Sequence, residues 1–199
     1  MKSNICKIEK GSRDLDAILK ESESVASYNG FTHKQTLQLR LLCEELDGML
    51  PNIVNDFDGD FWIEYEDGVC KVNASIKIPE LTASKKEDLI QVAKNKKNAA
   101  SVGIVGKIRD AIENMFLNEE FTGFMDVSTG VGYFPVGDCA NLNYSHLWSL
   151  NQYKVSVKDG EQKDAWDELE KSIIASLADD VIVGVKGKRA DIIITKKFA

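Results

Sequence analysis

Apolar residues recur along this chain with two distinct periods, and the switches between them mark out its elements. Residues 4–9 alternate as a short strand. From Gly11-Ser12 onward, Leu15, Ile18, Leu19, Val25 and Ala26 fall at helical spacing, and Asn29-Gly30 is a helix stop. A second helix opens on Thr32-His33-Lys34-Gln35, a capping box in which the Thr and Gln side chains each satisfy a free backbone N–H. Leu39, Leu42, Leu46, Met49, Leu50 and Ile53 form its apolar stripe, and Pro51 predicts a bend or an end there.

Period two then takes over. Residues 61–66 and 69–78 flank Asp67-Gly68, the favoured two-residue hairpin turn. Cys70, Val72, Ala74, Ile76 and Ile78 alternate with Lys71, Asn73, Ser75 and Lys77, which predicts one buried and one wet face. From Pro79 to Val157 the pattern loosens. Helices are expected over 84–92 and 101–117, the latter on Ile104, Ile108, Ala111, Ile112 and Met115. A glycine- and aromatic-rich ordered stretch follows, and then a strand over 150–157. Trp166, Leu169, Ile173 and Leu177 line a last helix, and 181–185 with 192–195 close the chain as a hairpin around Gly187. The expected architecture is one α/β (α+β) domain spanning residues 1–199. It is a two-layer sandwich, with an antiparallel or mixed sheet and helices on one face.

Composition narrows the function classes. A net charge of −7 argues against a general nucleic-acid or anionic-membrane binder, both of which need concentrated positive charge. No stretch approaches the roughly 20 apolar residues of a membrane span, and the first residues lack a signal-peptide core. Cys6, Cys43, Cys70 and Cys139 lie far apart with no C-x-x-C pair, which fits reduced thiols and a cytoplasmic setting.

The order strand, two helices, hairpin, irregular stretch, helix, hairpin resembles the ATP-binding domain of the histidine kinase/Hsp90-like (GHKL) superfamily, closest to its anti-sigma-factor branch. The closing run from Ser172 to Val185 and the first 80 residues carry the resemblance, with residues 82–158 standing as an insertion in the lid region. In that family a Glu-x-x-x-Asn motif on the second helix activates water and binds the magnesium that bridges the phosphates. Here Glu45 matches the Glu and places Met49 where Asn is expected; starting from Glu44 places Gly48 there instead. Neither supplies the oxygen that magnesium wants. Asp47 stands two residues from Glu45 and faces away from it on a helix. The motif that reads adenine, Asp-x-Gly-x-Gly, falls at Lys77-Ile78-Pro79-Glu80-Leu81-Thr82, where Glu80 is the only substitute. The family's Gly-rich turn into the last helix falls at 159–164, which holds a single glycine and three acids.

A rival phosphate lid is the segment Lys94 to Lys107, in which Lys97, Gly103, Gly106 and Lys107 lead into a helix; its bland reading is a solvated basic loop. For Glu44-Glu45 the bland reading is a solvated acidic face. The flanking Leu41, Leu42, Cys43 and Leu46 place at least one of the pair against the core, and the resemblance implies the general-base role for Glu45. The resemblance implies a bacterial-type regulatory protein with a degenerate pocket for ATP and magnesium, acting through protein–protein contact. Its alternative is a weak ATPase or serine kinase using Glu45. The aromatic residues between Phe116 and Trp148 are either a partner surface or a second small core.

Three other patterns fail on spacing. Gly103 to Ile108 is two residues too short for a P-loop and lacks the Ser/Thr after Lys107. Asp56, Asp58 and Asp60 have Gly59 at the fourth position rather than the sixth that a calcium loop needs. His33 and His146 have no partnered Cys or carboxylate spacing for zinc.

Overall fold

The structure, a computed structural model, describes residues 1–11, 14–54, 56–77, 103–119, 146–159, 167, 169 and 171–198. The helix expected over 84–92 and the aromatic stretch up to residue 145 lie outside the described residues, as do Trp166 and Cys139.

Strand β1 (Cys6–Glu9) is followed by helices α1 (Leu15–Tyr28) and α2 (His33–Ile53), and then by β2 (Asp58–Glu66) and β3 (Val69–Lys77). Next come α3 (Gly103–Glu119), β4 (His146–Ser149), α4 (Leu150–Asp159), the single turn α5 (Ile173–Leu177), β5 (Asp180–Lys186) and β6 (Arg189–Lys197). The six strands form one sheet in the order β1-β2-β3-β6-β5-β4, and every pairing is antiparallel. The mixed alternative is thereby removed.

The register separates the two faces. Phe61, Ala74, Ile192, Val183 and Trp148 oppose one another across five strands, and Ile63, Val72, Ile194 and Val181 form the next row. All are buried in one cluster with Ile18 and Val25 of α1, Leu39, Leu46 and Leu50 of α2, Ile108 and Met115 of α3, Val157 of α4 and Ile174 of α5. One core thus lies between the sheet and the helices, the arrangement of an α+β two-layer sandwich. The segment read as an insertion contributes edge strand β4 and helices α3 and α4 to this same sheet and core.

Local chemistry explains the boundaries. Asp14 caps α1, its Oδ1 accepting from Ala17 N at 2.9 Å, and the helix runs from Leu15. The capping box of α2 is formed in both directions between Thr32 and Gln35. Pro51 does not end that helix. It removes one donor in the last turn, and Val54 N still reaches Leu50 O at 3.0 Å. Asp67 and Gly68 both take positive φ, 49° and 80°, as a type I′ turn requires.

The expected strand over 150–157 is instead helix α4. Asp180 Oδ1 accepts from Asn151 N at 3.1 Å, and Ser149 Oγ donates to the same carboxylate at 3.0 Å. A side chain distant in sequence therefore satisfies the start of the helix. The last predicted helix is interrupted: residues 167 and 169 are helical, 171 is a turn, and the chain becomes helical again after Ser172. Ser172 caps α5, so Ile174 and Ala175 are buried while Ile173 is exposed.

Candidate functional site

Two surfaces gather the polar chemistry of this chain. The first lies on α2 and α3, which pack against each other. Glu44 accepts from Arg40 Nε at 3.1 Å, and Arg40 Nη1 also reaches Glu23 of α1 at 2.9 Å. This ion-pair chain ties α1 to α2, so Glu44 serves as a strut between helices. Glu45 is half-buried, and Met49 is buried at 4% exposure, its thioether in the core. Asp47 is also 4% exposed and is the only buried charged side chain among the described residues. Sequence reasoning set it aside as facing away from Glu45. The signal that places it inward is its spacing: Cys43, Asp47 and Leu50 fall at i, i+4 and i+7, and all three are buried.

On α3, Gly103 opens the helix at φ 79°, a conformation that favours glycine, and Gly106 is buried. Lys107 is half-buried with its Nζ 5.8 Å from the centre of the Tyr153 ring on α4. Burial pushes the Tyr153 phenol up, and the Asp110 carboxylate adds to that shift. Burial likewise raises Glu113, against the pull of Arg109 one turn away. Glu80 and Lys97 lie outside the described residues.

As holders of ATP and magnesium, the described members of this set do not fit. Magnesium needs hard oxygen donors, and Met49 offers a buried sulfur. Glu44 is committed to Arg40, and the Lys107 ammonium is turned to an aromatic ring. Among the described residues, no group of three or more His, Cys, Asp or Glu is placed to hold a metal ion.

The second surface is the sheet face opposite the helices. Sequence alternation predicted it wet; instead Asn73 and Ser75 are buried there, at 4% and 7% exposure. Ser75 Oγ donates to Asp191 Oδ1 and accepts from Arg189 Nε at 3.2 Å and Nη2 at 2.9 Å. Arg189 also lies 3.7 Å from Asp60, whose other oxygen takes Lys7 Nζ at 2.6 Å. With its proton on a carboxylate and its lone pairs on a guanidinium, Ser75 knits β3 to β6.

Beside this network, Trp62 Nε1 donates to Glu64 Oε1 at 2.8 Å, and Lys2 Nζ sits 4.6 Å from the Trp62 ring centre. Burial pulls the Glu64 carboxyl upward. The Trp62 and Lys2 donors outweigh it, and the group lies below its ordinary range.

Comparison with protein-family models, with curated proteins and with solved structures found no match to this chain. No helix among the described residues is long and apolar enough to cross a membrane.

Proposed function

We propose that this chain is a regulatory protein on a frame of the histidine kinase/Hsp90-like type, nearest the anti-sigma branch, that acts by binding another protein rather than by turning over nucleotide. The frame is supported by the element order. Hairpins β2–β3 and β5–β6 stand side by side in mid-sheet, and α1 and α2 belong to the core that covers one sheet face.

The observation that carries the altered-pocket reading is Met49. It stands where the resemblance calls for a magnesium-binding amide, and its side chain is in the core. Lys107, the cation of the expected phosphate lid that lies among the described residues, is engaged with Tyr153. One feature favours the alternative of a weak ATPase: Gly103 opens a 17-residue helix at positive φ, as a helix approaching phosphate often does. Steady-state phosphate release from Mg-ATP separates the two. The regulatory reading expects the protein and its Glu45→Gln variant both to match the buffer blank. Turnover that disappears in Glu45→Gln would establish the ATPase instead.

A further inference from the structure

We draw no further inference here: the strongest candidate, the half-buried apolar band of Trp62, Ile193 and Ile182 on the sheet face away from the helices, is bordered by Lys7, Lys77 and Arg189 already paired with Asp58 and Asp60, and nothing in the structure shows what covers it.

Discussion

Burial sets the chemistry of individual side chains in this protein more than charge does. It pushes the Cys70 thiol up to about 12 and raises Cys43 well above its ordinary value. Cys6, half-buried at the sheet edge, is raised by burial and then by Glu21 and Asp14. Thiolate is the reactive form, so Cys43 and Cys70 should resist iodoacetamide in the native protein at about pH 8 and react once guanidinium unfolds it. Peptide mapping reads this directly; rapid native labelling of either would contradict the burial described.

Asp179 runs the other way. Burial favours its neutral form, but Lys197 N at 2.5 Å and Lys196 Nζ at 3.2 Å hold its pKa below the ordinary 3.8. A depressed folded pKa stabilises the fold above the unfolded value, and that stabilisation is lost as pH falls through the lower, folded value. Asp179→Asn should therefore lower the melting temperature at neutral pH, with the gap to the parent narrowing below about pH 4. A gap independent of pH would assign the effect to packing.

At the scale of elements, the strongest local signals are also those easiest to break. Thr32→Ala removes half of the α2 capping box and should cost about 1 kcal/mol in chemical denaturation. Gly59 lies where β2 meets β3; a Cβ there would collide with the Ser75 carbonyl oxygen and stand 2.9 Å from Ile76 Cα. Both are backbone atoms, so Gly59→Ala should destabilise by about 1–3 kcal/mol. An undiminished midpoint would mean that the two strands separate more readily than their register implies.

The same elements show how far the amino-acid pattern was readable. The Asp67-Gly68 hairpin and the Thr32 box carry their determinants within a few residues, and both are present as expected. Residues 150–159 are helical because Asp180, some thirty residues on, caps them; the local clue was Leu150, Tyr153 and Val157 at i, i+3 and i+7. Asn73 and Ser75 looked wet by alternation and are buried; Asn73 Nδ2 donates to the Trp62 backbone carbonyl on the neighbouring strand, and the Arg189 guanidinium reaches across to Ser75 Oγ, a fact of tertiary packing. Of the candidate site, α2 and the start of α3 were legible as helices. The turning of Lys107 to Tyr153 was not, since it depends on a helix that was read as a strand.

For the whole molecule, strand order joins what lies far apart in the chain. Residues 69–77 and 189–197 pair along nine positions and make the middle of the sheet, and Phe198 packs its ring 4.8 Å from Phe31 beside Tyr65. The aromatic contact and Phe198 N bonding to Gly68 O at 2.8 Å close one end of the core. Truncation before Phe198 should thus lower the melting temperature of the entire transition rather than fray a tail. One side of the sheet carries the helices, while the other presents a charged and apolar face.

The most direct test is the melting temperature of the full chain with and without several millimolar Mg-ATP. A working pocket saturated a hundredfold would stabilise by about 2.7 kcal/mol, a rise of roughly 5–10 °C for a protein of this size. With Met49 in the core and Lys107 against Tyr153, the expected rise is under about 1 °C. A saturable increase of several degrees that requires magnesium would contradict the account.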